Sequence, residues 1–207
     1  MIRLYDYWRS SASYRVRIAL NLLGLSHEAV PVNLVEGAQR APENMARNPQ
    51  GLVPTLEIDG LTLTQSLAII EYLHETHGGL LPDDAAGRAR VRAISYAVAM
   101  EIAPVCNLSV RNHVAQLTGG TFTADDWQRH YIGAGLAAVE RMLDAPQTGA
   151  FCHGDATTMA DICLVPQLYN ALRVGLDVAS WPTIARVMAR LEDIPAVQAA
   201  HPDKVKP

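Results

Sequence analysis

Charge is scarce in this sequence: Asp, Glu, Lys and Arg make up 18% of its 207 residues, against about a quarter in an average globular chain. Hydrophobic residues make up 49%, so the chain can bury a core and is not a disordered polyelectrolyte. Basic runs are missing as well. Arginines supply most of the 17 basic residues, yet they are scattered along a chain of net charge −4, which excludes the clustered footprint that nucleic-acid binding needs. Cysteine is nearly absent. Cys106, Cys152 and Cys163 are odd in number and form no C-x-x-C pair, so neither a disulfide framework nor a zinc site is expected. That usage fits a reducing, cytoplasmic compartment. The opening MIRLYDYWRS lacks the apolar core of a secretory signal, and no uncharged apolar stretch of about 18 residues is read, so no membrane attachment is expected.

What the chain does contain changes character near residue 80. Before it, the order β-α-β-α-β-β-α is legible: a strand over Ile2–Asp6, a helix carrying Val16, Ala19, Leu20 and Leu23 at i, i+3, i+4 and i+7, and a strand over Ala29–Leu34. A helix follows near Pro42, a tolerated first-turn proline. VPTLEIDGLTLTQS then reads as two short strands around Asp59-Gly60, which suits a two-residue type I′ hairpin. Ser66 precedes the helical run LAIIEYLHETH, and Gly78, Gly79 and Pro82 mark a linker. Beyond it the strand signals stop. Helices are expected over Ala85–Leu117, Thr123–Leu143 and Met159–Arg173, then near Ile184–Leu191 and Ala196–Ala200. The expectation is an α+β domain over 1–80 and an all-α domain over 85–207.

The stretch WRSSASYRVRIALNLLG places Ser10, Ser11 and Ser13 at the start of the first helix. A serine there caps an orphan N–H, worth about 1 kcal/mol; unpaired N–H groups and the macrodipole also favour an anion, and nearby hydroxyls can donate to a thiolate. Gln65-Ser66 has the same double reading, as cap or as carboxylate site. Arg173, late in a helix, is either a solvated cation complementing the dipole or a clamp for a carboxylate, whose planar fork it fits. Val53-Pro54 reads as trans on sequence alone. Three features carry no ligand. Thr158-x-x-Asp161 is a capping box. His74 and His77 complement a helix C-terminus with no third ligand, so no metal is expected. Cys106 is a small apolar residue without a neighbour to ionise it.

In this order SSASYRVRIAL, NPQGLVPTLEIDG, QSLAIIEYL, GDATTMADICLVPQ and NALR resemble the successive motifs of the zeta class of glutathione transferases, over nearly the whole chain. The resemblance implies a thioredoxin-like first domain, an all-helical second domain, a homodimer, and glutathione as cofactor. It assigns Ser10 and Ser11 to activation of the glutathione thiol. Glutathione contacts go to Ser10, Ser11, Ser13, Gln39, Val53, Pro54, Gln65, Ser66, Asn107 and Ser109. It makes Val53-Pro54 cis, with the Val53 backbone pairing strand-like with the tripeptide, and it makes Arg9 and Arg173 the groups that hold a small keto diacid. The best-known activity of the class is maleylacetoacetate isomerisation, with maleylpyruvate as the close alternative; halide removal from small α-halo acids and non-catalytic glutathione binding are the other readings. The chain departs from the pattern at Ala12, often cysteine in the class, at Ala103, commonly glutamine or histidine, and at Cys106, often glutamine.

Overall fold

The computed structural model describes residues 1–207. In chain order, β1 (Arg3–Asp6), α1 (Ser11–Leu22), β2 (Glu28–Pro31), α2 (Pro42–Arg47), β3 (Thr55–Ile58), β4 (Leu61–Thr64) and α3 (Ser66–His77) precede residue 80. The helices α4 (Ala85–Tyr96), α5 (Ala103–Val105), α6 (Leu108–Leu117), α7 (Ala124–Leu143), α8 (Met159–Arg173), α9 (Pro182–Glu192), α10 (Pro195–Ala199) and α11 (Pro202–Val205) follow. Two compact units result: Met1–Leu80 together with Asp193–Pro207, and Leu81–Glu192. The expected second domain, 85–207, is therefore corrected at its end. The last stretch returns to the first unit, where Asn21 Nδ2 donates to Ala196 O at 3.1 Å and Arg17 Nε to Ala200 O at 3.1 Å. Neither bond has a sequence signal, because each spans most of the chain.

The sheet of the first unit runs β2-β1-β3-β4, with β1 parallel to β2 and antiparallel to β3, and β3 antiparallel to β4. Asp59 and Gly60 join β3 to β4 with φ of 52° and 77°, the pair of left-handed residues that a type I′ turn demands. Helix α1 packs on α3. Their buried faces, Val16, Ala19 and Leu20 against Ile69, Ile70 and Leu73, are fully removed from water, and this apolar burial holds both helix starts in place.

In the second unit the single helix expected over Ala85–Leu117 is broken. After α4 the chain widens into a π-turn over Ala97–Ile102, where Ala103 N donates to Val98 O, and α6 restarts only after Cys106 and Asn107. Pro104 is the physical reason: it has no N–H, and its ring collides with the carbonyl four residues back unless the turn opens. The apolar periodicity is continuous across this point and hides the break. Helix α7 meets the bulge at Gly135, where a Cβ would lie 2.4 Å from Ile102 Cδ1. The run Ala85–Leu117 also has the length and composition of a membrane-crossing helix, although Glu101 interrupts its apolar stretch and no 18 residues of it are free of charge. Val91, Ile94, Val98 and Ile102 of this run are buried in the fold.

Asp161, in the first turn of α8, accepts from Thr158 N at 2.8 Å, Thr158 Oγ1 at 2.9 Å and Cys152 N at 2.8 Å. Burial still pushes its carboxyl above the ordinary value, outweighing those donors. His74 Nδ1 accepts from Leu80 N at 3.4 Å, closing the end of α3.

Candidate active site

The loop from Tyr7 to Ser13 is built by its own short side chains. Ser10 is the N-cap of α1: its Oγ accepts from Ser13 N at 3.3 Å, its N donates to Tyr7 O at 2.9 Å, and its O accepts from Tyr14 N at 2.8 Å. A hydroxyl that accepts one bond still has its proton to donate. Ser11 opens the helix, and by helix geometry the N–H groups of Ser11 and Ala12 have no intrahelical acceptor. Ser10, Ser11 and Arg9 are all partly exposed, so this is a half-open, positively polarised helix end carrying two hydroxyls. Ser13 differs. It is fully buried and its Oγ accepts from Tyr7 N at 3.4 Å, so it braces the loop, and the expectation that it faces glutathione is corrected.

A second helix start lies in the same unit. The sequence places Ser66 as the cap of α3; the structure gives that place to Gln65, which has φ 67° and ψ 112°, with Ser66 as the first helical residue. Ser66 is buried because Arg15 Nη1 donates to its Oγ at 3.2 Å. Left-handed backbone in a non-glycine residue costs about 1–3 kcal/mol and concentrates at ligand sites. Gln65 Nε2 donates to Gln50 Oε1 at 2.6 Å, which brings the loop before β3 to the same place. That loop is held by Asn48, whose Nδ2 donates to Leu52 O at 3.0 Å and whose Oδ1 accepts from Gln50 N at 3.1 Å. It ends in Val53-Pro54, whose peptide bond is cis, opposite to the reading from sequence alone. Val53 lies just ahead of the β3 ladder, which starts at Thr55.

Arg15 and Gln50 are absent from the sequence reading. Arg15 had a usable signal, an arginine inside an otherwise buried helical run, since buried guanidinium groups need partners; Gln50 had none. Gln39 Oε1 is a buried acceptor without a hydrogen-bond partner in the protein, a desolvated group that a ligand N–H can satisfy. The remaining expected residues belong to the second unit. Asn107 caps α6 and Ser109 lies in its first turn, both exposed. Arg173 is exposed in the last turn of α8, its guanidinium 5.8 Å from the Tyr169 ring centre. Cys106 is 9% exposed, and burial pushes its thiol up to about 11 despite the pull of Arg111. It stays protonated at neutral pH.

Residues 1–75 match the glutathione S-transferase N-terminal domain. A maleylacetoacetate isomerase of Rhizobium meliloti is 61% identical over 207 residues, covering 99% of this chain and 97% of that protein. A solved structure described as holo maleylpyruvate isomerase, a bacterial zeta-class glutathione S-transferase, superposes with a TM-score of 0.94 at 38% identity, covering 99% of this chain and 98% of that one. The chain belongs to the zeta-class glutathione transferases. Within that family, the maleylacetoacetate isomerase of Anaeromyxobacter dehalogenans, solved with glutathione in its active site, gives a TM-score of 0.89 at 44% identity over 100% of this chain and 97% of its own. A zeta-class transferase takes glutathione at its two helix starts. The residues do fit: one capped helix start with free hydroxyl protons suits a thiolate, the other suits a carboxylate, and the unpaired Gln39 acceptor suits a peptide N–H.

Proposed function

We propose that this chain is a glutathione-dependent cis–trans isomerase acting on maleylacetoacetate or maleylpyruvate. The single observation that carries the reading is Ser10 at the cap of α1, with its Oγ bonded to Ser13 N and its proton free, in a family that includes a maleylacetoacetate isomerase 61% identical to this chain. Bound glutathione supplies a thiolate that adds to the cis double bond, lets the resulting single bond turn, and is released unchanged.

The protein's part is to ionise and orient. A thiol with an ordinary value near 8.5 is only a few per cent ionised at neutrality; lowering it by about two units, roughly 2.7 kcal/mol, makes the thiolate dominant. The Ser10 hydroxyl donates to that sulfur, supported by the Ser11 hydroxyl and the first-turn N–H groups of α1. Ser66, Gln65 and the first turn of α3 hold the γ-glutamyl end, Val53 pairs with the peptide backbone, and Gln39, Asn107 and Ser109 complete the contacts. Arg9 and Arg173 hold the carboxylates of the diacid and stabilise the enolate charge that develops beside them. Pro54 shapes the approach to Val53.

The chain is further proposed to act in the cytoplasm as a homodimer. Three free cysteines support the compartment, and the membership of the zeta class supports the dimer. Sedimentation at micromolar concentration checks the dimer.

An ultraviolet assay of both maleyl acids, with and without glutathione, tests the function. Turnover is expected only with glutathione, with Ser10→Ala slower on both acids and Arg173→Ala losing at least about tenfold in kcat/KM, or 1.4 kcal/mol. Absence of isomerisation alongside retained halide release from α-halo acids overturns the assignment.

A further inference from the structure

The C-terminal tail ends beside the loop that carries Ser10. Arg17 fixes it there. This guanidinium is 3% exposed and serves three separate segments: Nη1 pairs with Asp6 Oδ2, Nη2 donates to Trp8 O at 2.8 Å, and Nε donates to Ala200 O at 3.1 Å. One buried cation therefore clamps the residue two before Ser10 to the backbone that leads into α11. The tail then brings a second cation to Trp8, because Lys206 Nζ lies 5.4 Å from the indole centre and the Arg9 guanidinium carbon lies 5.3 Å from the same ring. Neither Arg9 nor Lys206 forms an ion pair in the protein.

In a chain of net charge −4 whose only lysines are Lys204 and Lys206, two uncompensated cations on one ring form a local positive focus. An indole face attracts each of them, and an anion placed between them gains from both charges. We propose that Lys206 is a specificity-determining residue that binds the substrate together with Arg9, so that the tail contributes a cation for one carboxylate of a dianion. This rests on the isomerase reading for the identity of the dianion, not for the existence of the site.

The test uses the full chain and two readouts. The first is tryptophan fluorescence during titration with maleate at low ionic strength without glutathione, with Trp8→Phe identifying the responding indole. The second is KM for the maleyl acid at saturating glutathione. Lys206→Met keeps the aliphatic stem and removes the charge; it should weaken maleate binding and raise KM for the diacid by about threefold to fivefold, the range of an exposed charge contact. Lys206→Arg should stay within about twofold of the parent, Lys204→Met should match the parent, and KM for glutathione should not move with Lys206→Met. Undiminished maleate binding in Lys206→Met, or an equal loss in Lys204→Met, overturns the proposal. Lys206-dependent maleate binding in a protein that isomerises neither maleyl acid would instead overturn the function proposed above and leave this site standing.

Discussion

Arg15 on α1 donates to Ser66 on α3 at 3.2 Å with both side chains buried, so the starts of the two helices that frame the candidate site are tied by one charged hydrogen bond. Removing the acceptor leaves a buried guanidinium without that bond. Ser66→Ala is expected to cost about 1–3 kcal/mol of stability in urea unfolding. It should also raise KM for glutathione, since the first turn of α3 loses both its hydroxyl and its tie.

The Cys106 thiol provides a second test. Burial raises it to about 11, so its alkylation rate in the native protein should be slow at pH 7 and climb with an inflection near that value. An inflection near 8.5, the value of a free thiol, contradicts the burial. Cys106→Ala should retain isomerase activity, because a protonated thiol is no nucleophile.

Thr158 and Asp161 set a pH dependence. A carboxyl whose folded value is raised binds its proton more tightly when folded, so its contribution to stability is fullest below the ordinary 3.8 and declines as pH rises through the folded value. Thr158→Ala removes the Oγ1–H donor to the carboxylate and should raise that value further. The variant is expected to lose about 1 kcal/mol at pH 7, with the deficit shrinking as acid protonates Asp161. Denaturant melts at several pH values check the sign.

Gly135 is present for space. Alanine in a helix interior is about 1 kcal/mol better than glycine, yet a Cβ here would lie 2.4 Å from Ile102 Cδ1. Gly135→Ala should destabilise by about 1–3 kcal/mol through overpacking. In an Ile102→Ala background the same change should become neutral or stabilising, and a double-mutant cycle measures the reversal.

How much of this was legible follows from the range of each signal. The Ser10 cap and the Asp59-Gly60 turn are written in adjacent residues and appear as read. The left-handed Gln65, the Arg15–Ser66 tie and the return of Asp193–Pro207 to the first unit depend on partners far along the chain, and no local pattern encodes them. Ser13 was misread because a hydroxyl in a row looks the same whether it faces a ligand or its own loop. Pro104 is a local mark of the break in the long helix, but the apolar periodicity around it runs through unbroken and conceals it. The order of elements, and with it the fold, needed only local periodicity; the site needed contacts across the unit.

Ultraviolet difference titration of the glutathione thiol bound to the protein decides whether α1 activates it. The sulfur is expected to ionise about two units below its free value near 8.5, and Ser10→Ala to move it back upward. A bound thiol that keeps its proton above pH 8 would contradict it.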